Sequence, residues 1–173
     1  EIIYKAWYTY VNVSFFPYIY RMLSKKTKYG LKALAYLASQ KDKQPVQISE
    51  VAKAENISQK FLESILLSLR KSGFLGSKKG KGGGYYLIKD PKEVLMTDVM
   101  RILEGPIAMV PCVSLNFYEK CADCPDEATC SVNKLMLMVR DANLEVYRNN
   151  TLADLIAWFS DQSQYLVKYI QNS

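Results

Sequence analysis

The chain has 173 residues, 49% of them hydrophobic, and its formal net charge is +6. This length fits one domain with an appendage or two small domains, and the apolar fraction excludes a wholly disordered chain. Histidine is absent, which removes the commonest general base and the commonest metal ligand and makes an enzyme a poor interpretation.

The charge is unevenly distributed along the chain. Residues 24–90 contain 14 Lys/Arg against 5 Asp/Glu, whereas residues 91–173 contain 7 against 11. A basic segment followed by an acidic remainder predicts a polyanionic partner for the basic part only. The charge alone is equally consistent with lysines that only make an ordinary protein surface soluble.

The first 21 residues include eight aromatic side chains, and residues 6–20 carry no charge. This run is shorter than the ~18–20 apolar residues that a membrane span needs. It also lacks the basic start and small-residue cleavage site of a secretory signal. Since the sequence from Met22 reads as a complete start, we interpret residues 1–21 as an N-terminal extension of doubtful origin. An arm that contacts a membrane or a partner is the alternative.

Three helices are predicted next, over about 25–39, 49–54 and 58–72, because apolar residues recur there at steps of three and four. Ser58 is a favourable N-cap for the third helix, and Gly73 follows it where a C-terminal cap favours positive φ. The predicted apolar stripe of the third helix comprises Phe61, Leu62, Ile65, Leu66 and Leu69.

The sequence period then changes from helix to strand. Two short strands are predicted over 74–77 and 85–88, joined by a glycine-rich basic hairpin at 78–84. A helix over about 97–103 follows, with Thr97 as its N-cap. The predicted fold class is therefore mainly α with a small β-hairpin wing, in the order of a winged helix-turn-helix.

The last third of the chain is predicted to hold an irregular cysteine segment, a long helix over about 131–149 and a short final helix. Thr151 with Asp154 three residues later starts the final helix. Apolar residues repeat along one face of the long helix, which is typical of a helix that pairs with a partner. They are Val132, Leu135, Met136, Val139, Ala142 and Val146.

The third helix is the candidate recognition helix. Such a helix enters the major groove with its N-terminal residues facing base edges, and here these residues are Ser58, Gln59, Lys60 and Glu63. Gln59 suits adenine, Lys60 suits guanine or phosphate, and Glu63 could accept from a cytosine amino group. The alternative is an amphipathic helix with a merely solvated face.

The hairpin is the candidate wing. Lys78, Lys79 and Lys81 stand among glycines that allow close approach to phosphates or to the minor groove. Arg70, near the end of the third helix, suits contact with the DNA backbone. A nucleotide-binding loop is disfavoured because the hairpin lacks the GK[ST] ending and a βαβ context. The remaining alternative is a floppy linker.

Four short runs of sequence resemble a known family: KKTKYGL at 25–31, ISxxFLE at 57–63, LRKSG at 69–73 and GKGGGY at 80–85. The chain from Met22 to about Ile156 resembles the IscR/NsrR/CymR-type family of bacterial winged helix-turn-helix regulators. The resemblance implies a cytoplasmic homodimer that binds double-stranded DNA and senses iron–sulfur status, nitric oxide or redox state. It assigns operator reading to Glu63 and Lys79. Lys28, in the first run, is a further DNA-binding candidate.

All four cysteines, Cys112, Cys121, Cys124 and Cys130, lie within 19 residues and form one local site. Thiolates are soft donors that suit iron–sulfur clusters and Zn²⁺. The resemblance favours an iron–sulfur cluster, [2Fe–2S] or [4Fe–4S], because family members that bind one usually present three cysteines just before the dimerisation helix.

This chain departs from that pattern in two ways. Cys121 is an additional cysteine, and Asn133 stands where the best-known member has a histidine. We expect either Cys121 or an outside ligand, such as one from a partner subunit, to complete the site. A metal-free thiol or nitrosative switch and a structural zinc are the alternatives, and inert buried thiols are the remaining one.

The sequence thus predicts a transcriptional regulator with an N-terminal extension (1–21), a DNA-binding domain (22–91), a connecting helix and cysteine loop (92–130) and a dimerisation region (131–173). The alternative is a winged-helix protein, stabilised by zinc or switched by thiols, that acts through protein interaction or metal-independent DNA binding.

Overall fold

The computed structural model describes residues 23–40 and 44–160. Within them lie six α-helices and one two-stranded antiparallel sheet, which confirms the predicted fold class. The prediction for residues 1–21 lies outside the described residues. The helices and strands are α1 (Lys25–Ala38), α2 (Ile48–Ala54), α3 (Gln59–Lys71), β1 (Leu75–Lys78), β2 (Gly84–Leu87), α4 (Met96–Leu103), α5 (Ser131–Arg148) and α6 (Leu152–Ser160), with short 3₁₀ turns at Pro91–Glu93 and Pro111–Val113.

One hydrophobic core joins the first three helices and the sheet to α4 and α6. The buried face of α3 has the helical spacing expected from the sequence, and its four core residues are fully buried. The core also contains Val99 of α4 and Leu152 of α6. It therefore extends beyond residue 91, and the division at residues 91 and 130 stays a prediction. The four core residues of α3 are Leu62, Ile65, Leu66 and Leu69.

Phe61 is the exposed member of the predicted apolar stripe of α3. Its side chain is 38% exposed, and its ring makes an edge contact with Tyr29 of α1 at a centroid distance of 5.8 Å. Phe61 lies at the edge of the apolar face, where α1 covers only one side of the ring. Phe61 therefore forms the exposed margin of the predicted apolar stripe, and the other four residues form its buried part.

The two strands differ by one residue from the sequence prediction: β1 begins one residue later, at Leu75, and β2 begins one residue earlier, at Gly84. Gly73 adopts φ +78° as expected of a C-terminal cap, and Phe74 then donates its N–H to the Leu69 carbonyl at 3.0 Å. Because this hydrogen bond makes Phe74 part of the helix cap, β1 begins at Leu75, which pairs with Leu87.

The predicted N-cap of α4 was also wrong. Leu95 occupies the cap position, and Met96 donates its N–H to the Asn150 carbonyl at 3.0 Å. Thr97 is therefore inside the helix, where it is 4% exposed and its Oγ1 has no partner among the described residues. Long-range pairing with the segment before α6 decides this helix start, and local capping preference does not.

The other predicted helix ends agree with the structure. The long helix α5 begins after Cys130 and ends before Asn149. Asp154 Oδ2 accepts from the backbone N–H of Thr151 at 2.7 Å and from its hydroxyl at 2.6 Å, which gives α6 the expected capped start. None of the helices in the described ranges is long and apolar enough to cross a membrane.

Candidate DNA interface and cysteine pocket

The turn between α2 and α3 fixes the start of the candidate recognition helix. Asn56 adopts φ 52°, a left-handed conformation that asparagine tolerates better than most residues. Ser58 Oγ then accepts a hydrogen bond from the Phe61 N–H at 3.4 Å and caps α3, as predicted. Lys32 of α1 forms a 3.0 Å ion pair with Glu55, which holds the turn against α1.

The predicted base-reading residues share the solvent-exposed side of α3. Ser58, Gln59, Lys60 and Glu63 are all exposed, whereas the opposite side of the helix faces the core. The structure therefore brings an amide, an ammonium and a carboxylate together on the N-terminal half of one helix. This arrangement can offer both donors and acceptors to base edges in a major groove.

Ser64 extends this exposed surface, and the sequence analysis missed it. It follows Lys60 by four residues, so both side chains lie on one helix face. Its hydroxyl donates to the Phe61 carbonyl at 2.8 Å, which leaves the Ser64 oxygen free to accept a hydrogen bond. The spacing of four from Lys60 was the signal that could have identified it.

The wing presents its lysines on a tight glycine turn. Lys78 ends β1, Lys79 and Lys81 lie in the turn, and all three are exposed. Gly83 donates its N–H to the Gly80 carbonyl at 2.9 Å and closes the turn. The wing thus carries three ammonium groups beyond the sheet, where phosphates could reach them.

The base of the wing is fastened to the segment before α2. Val46 and Tyr85 exchange backbone hydrogen bonds of 2.8 and 2.9 Å, in effect adding one residue pair to the sheet. Gly84 lies so close to this segment that a Cβ there would be 2.0 Å from the Val46 carbonyl oxygen. Glycine at position 84 is therefore required by the close approach of the two backbones.

Arg70 has a contact that was not predicted. Its Nη1 donates to Ser77 Oγ in β1 at 3.1 Å, so this side chain braces α3 against the wing. Arg70 is exposed, and its other N–H groups can still reach a DNA backbone. The predicted phosphate contact and this structural contact are compatible because a guanidinium has five donors.

Lys28 is exposed in the first turns of α1, whose start is held by Glu104. Glu104 Oε2 accepts from the Ser24 backbone N–H at 3.2 Å, from the Ser24 hydroxyl at 2.8 Å and from the Thr27 hydroxyl. Burial alone would raise the pKa of Glu104. The hydrogen bonds from Thr27 and Ser24 outweigh that effect and, with the charge of Lys26, lower its pKa.

All four cysteines line one cavity of about 770 Å³ at the start of α5. Cys112 lies in the 3₁₀ turn Pro111–Val113, whereas Cys121, Cys124 and Cys130 belong to the loop that leads into the helix. Cys121 is exposed and the other three are partly buried. The structure therefore brings the four predicted ligands to one site, across a gap of eight residues between Cys112 and Cys121.

Cys130 occupies the N-cap position of α5. Its Sγ accepts from the Asn133 N–H at 3.4 Å. This backbone hydrogen bond, and secondarily the neighbouring Cys124 thiol, lower the pKa of Cys130. Partial burial, and secondarily the neighbouring Cys130 thiol, raise the pKa of Cys124. The neighbouring thiols thus divide into an acidic thiol at a helix N-terminus and a less acidic donor.

Hydrogen bonds between loop residues close the wall of this cavity. The Tyr118 hydroxyl donates to the Glu127 carboxylate, 3.0 and 3.1 Å from its two oxygens. Asp126 accepts from the Ala128 N–H at 3.0 Å, and its carbonyl accepts from the Cys124 thiol at 3.3 Å. The contact between Tyr118 and Glu127 links the segment after Cys112 to the segment before Cys130, and the Asp126 contacts shape the latter segment.

The donor chemistry of this cavity fits an iron–sulfur cluster, since four soft thiols line it and histidine is absent. Among the described residues, no three Cys, Asp or Glu side chains stand close enough together to hold a single metal ion. A multinuclear cluster binds its thiolates through different iron atoms and so needs donors that are spread around a cavity. The four thiols around this cavity are the donors that such a cluster would need.

Comparison with known proteins supplies the context of this site. The family model described as Rrf2, iron-dependent transcriptional regulator, matches residues 23–158. An rrf2-like HTH-type transcriptional regulator of Rhodobacter capsulatus is 40% identical over 139 residues, covering 79% of this chain and 93% of its own. The HTH-type transcriptional regulator CymR of Bacillus subtilis is 30% identical over 148 residues, covering 86% and 99%.

Solved structures agree with this match. CymR, the global cysteine regulator of B. subtilis, superposes with a TM-score of 0.65 at 32% identity, covering 79% of this chain and 96% of that one. IscR of T. potens gives a TM-score of 0.63 at 25% identity, covering 82% and 90%. An oxidized form of Staphylococcus aureus CymR gives 0.59 at 29%, covering 77% and 94%.

Proposed function

The chain belongs to the Rrf2 family of transcriptional regulators, and from this premise we propose that an iron–sulfur cluster in the cysteine pocket controls its affinity for DNA. The protein is a DNA-binding transcriptional regulator and not an enzyme, like its relatives. One observation supports the finer proposal above all others. All four thiols line one cavity at the N-terminus of α5. The segment after the C-terminus of α5 is hydrogen-bonded to Val94 and Met96, which belong to the same core as α1, α2 and α3.

In the proposed complex, α3 lies in the major groove and the wing lies on the neighbouring backbone. Gln59, Lys60 and Glu63 read base edges, whereas Lys79 and Lys81 bind phosphates or the minor groove. Ser58 lies beside the base-reading residues at the start of α3 and faces the same base edges. Lys78 acts with the other wing lysines, and Arg70 and Lys28 would contact the DNA backbone. The exposure of all these side chains supports this assignment.

The helix α5 would connect the two sites. It has 18 residues and is therefore about 27 Å long. Beyond its C-terminus, the Asn150 carbonyl accepts from Met96, and Leu152 donates its N–H to the Val94 carbonyl at 2.8 Å. Burial, and secondarily the charge of Glu104, raise the pKa of Tyr147 near the end of α5. A shift at Cys130 would thus be transmitted along α5 to α4, which is followed by Glu104, the residue that caps α1.

The cluster would be held by Cys112, Cys124 and Cys130, with Cys121 or an outside ligand as the fourth. When bound, it supplies an electron-transfer group that oxygen or nitric oxide can alter. The chain itself would hold the thiols around the cavity, with Cys130 fixed as the N-cap of α5. Loss of the group would release the loop and favour a second arrangement of α5.

We further propose that the chain acts as a homodimer through α5. Val132, Leu135, Met138 and Val146 are 55–65% exposed on one side of this helix, opposite the side that packs on the rest of the chain. Ala142 is exposed between them, while Met136 and Val139 are half-buried. A second copy would cover this apolar stripe and place two recognition helices on one duplex.

A metal-free thiol switch is the second candidate function. Its support is that the Cys124 and Cys130 thiols line the same cavity and shift each other's pKa in opposite directions. With hydrogen peroxide as oxidant, both thiols would lose their protons and one electron each to form a disulfide, while the hydrogen peroxide would be reduced to two waters. S. aureus CymR has been solved in an oxidized form, which motivates testing both redox states of this chain.

Anaerobic purification followed by an absorption spectrum and iron and sulfide analysis tests the cluster. We expect a brown protein whose visible absorption disappears in air. The variants Cys112→Ser, Cys124→Ser and Cys130→Ser should lose the colour, and Cys121→Ser decides whether Cys121 is a ligand. A colourless protein with one equivalent of zinc would contradict the proposal, and reversible oxidation without iron would favour the thiol switch.

A further inference from the structure

Cys112 is separated in sequence from the other three cysteines, so a contact outside its own turn is required to hold it near them. It lies 18 residues before Cys130 in the short turn Pro111–Val113. The hydrogen bonds from Val113 to Val110 and from Ser114 to Pro111 are internal to this segment. They shape the turn but do not attach it to the helix that begins at Cys130.

Arg140 of α5 supplies that attachment. Its Nη1 donates to the Val113 carbonyl, next to Cys112, at 2.7 Å across 27 residues of sequence. Its Nε and Nη2 lie 2.8 and 2.7 Å from Asp141 Oδ1, which orients the guanidinium. The Arg140 side chain is only 13% exposed, so water competes weakly for this charge-assisted hydrogen bond. Val113 is itself 2% exposed and anchors the turn from its apolar side.

The cysteine segment is thus fastened to one helix at two points. Cys130 caps its N-terminus, and Arg140 holds the Cys112 turn ten residues later, about 15 Å along the axis. The cavity lies between these fastenings. The contact at Val113 therefore joins the Cys112 turn to the same helix that Cys130 caps.

We infer that Arg140 is the positioning residue that keeps Cys112 in the pocket and couples its location to α5. The inference rests on the proposed function in that it treats Cys112 as a member of the sensing site. Arg140 does not line the cavity, and its contacts go to Val113 and Asp141, so its role is to position Cys112 and not to bind a group. Sequence reasoning offered no signal for this role, since the two partners are far apart in the chain.

The test uses the reduced, metal-free full-length chain, so it does not depend on cluster binding. Arg140→Met keeps most of the aliphatic part of the side chain. Arg140→Lys keeps the positive charge but lacks the planar guanidinium that donates to two partners at once. Each thiol's rate of alkylation by iodoacetamide is followed by peptide mass spectrometry. Lys134→Met, an exposed position on the same helix, is the matched control, and circular dichroism checks folding.

We expect Arg140→Met to raise the alkylation rate of Cys112 about tenfold, as loss of a charge-assisted hydrogen bond should, with Arg140→Lys intermediate. Cys121 and Cys124 should keep their wild-type rates. An unchanged Cys112 rate, or an equal rise at all four thiols, would overturn the inference. Iron content after anaerobic reconstitution is a separate measurement: a wild type without iron contradicts the proposed cluster but leaves the alkylation result valid.

Discussion

Glu104 shows how one residue links separate parts of the chain. It follows α4, yet its carboxylate caps the start of α1 through Ser24 and Thr27. No local pattern predicts this contact, because the partners are 77 and 80 residues away. It orients the helix that packs behind the recognition helix.

We expect Glu104→Gln to lower the free energy of unfolding at pH 7 by about 1 kcal/mol, the usual scale of a lost cap contact. The folded pKa of Glu104 lies below its unfolded value. Its contribution is therefore present above the ordinary glutamate pKa of about 4.3 and is lost as the pH falls through the folded pKa. Urea unfolding from pH 7 to pH 3 measures this.

The matched control is Glu145→Gln, since Glu145 is exposed on α5. Its effect on unfolding should be small at every pH. A destabilisation by Glu104→Gln that persists unchanged in acid would contradict the assigned role of the Glu104 charge.

At the same scale, Glu63 and Lys79 are predicted to act differently on DNA. Glu63→Ala should cost about 1–3 kcal/mol on the operator and relax preference at one base pair, because a base contact carries sequence information. Titrations of the operator and its single-base variants check this. If Glu63→Ala weakened all sequences equally, Glu63 would not read a base.

Lys79→Ala should weaken binding to all sequences by a similar factor. It should also reduce the slope of log affinity against log salt by about one, since one fewer counterion is released. Binding isotherms at several salt concentrations measure this slope. An unchanged slope would place Lys79 away from the phosphates.

At the scale of elements, the winged helix-turn-helix follows from local signals. Apolar spacing, the Ser58 cap and Gly73 bounded α3 to within one residue, because each acts within a single helical turn. The predicted start of β1 was one residue early because Phe74 completes the cap of α3, and the predicted start of β2 was one residue late beside the long-range pairing of Tyr85 with Val46. The Thr97 cap failed for the same reason.

The attachment of the wing gives a prediction at this scale. Gly84→Ala would force its Cβ against the Val46 carbonyl, and we expect a loss of about 1–3 kcal/mol in unfolding free energy, the range for overpacking. DNA affinity should fall with it. Lys81→Ala, at the exposed tip, should reduce DNA affinity and leave thermal stability unchanged. Equal stability of Gly84→Ala and the wild type would contradict the close approach.

At the scale of the whole molecule, α5 has two faces with different roles. One face holds buried Asn133 and Leu144 and the half-buried Arg140, and it packs on the chain. The other presents the apolar stripe that a second copy is proposed to cover. Since an exposed stripe of this kind is costly in water, it is the strongest support for dimerisation.

We expect Leu135→Glu to convert the dimer to a monomer, because it puts a charge at the centre of the stripe. Analytical ultracentrifugation measures this, and binding to a two-half-site operator should fall with it. Lys134→Glu, beside the stripe, should keep the wild-type mass. A wild type that is monomeric at micromolar concentration would contradict the proposed homodimer.

The sequence by itself determined the helical boundaries other than the start of α4, the exposed basic positions of α3 and the hairpin, and the clustering of four cysteines, because these depend on contacts within a turn or a short loop. Only the tertiary structure decided how Glu104 caps α1, how Val46 holds the wing and how Arg140 holds the Cys112 turn. Each of these contacts joins residues far apart in the chain. Their pairing depends on how the elements pack around the shared core, which no local pattern encodes.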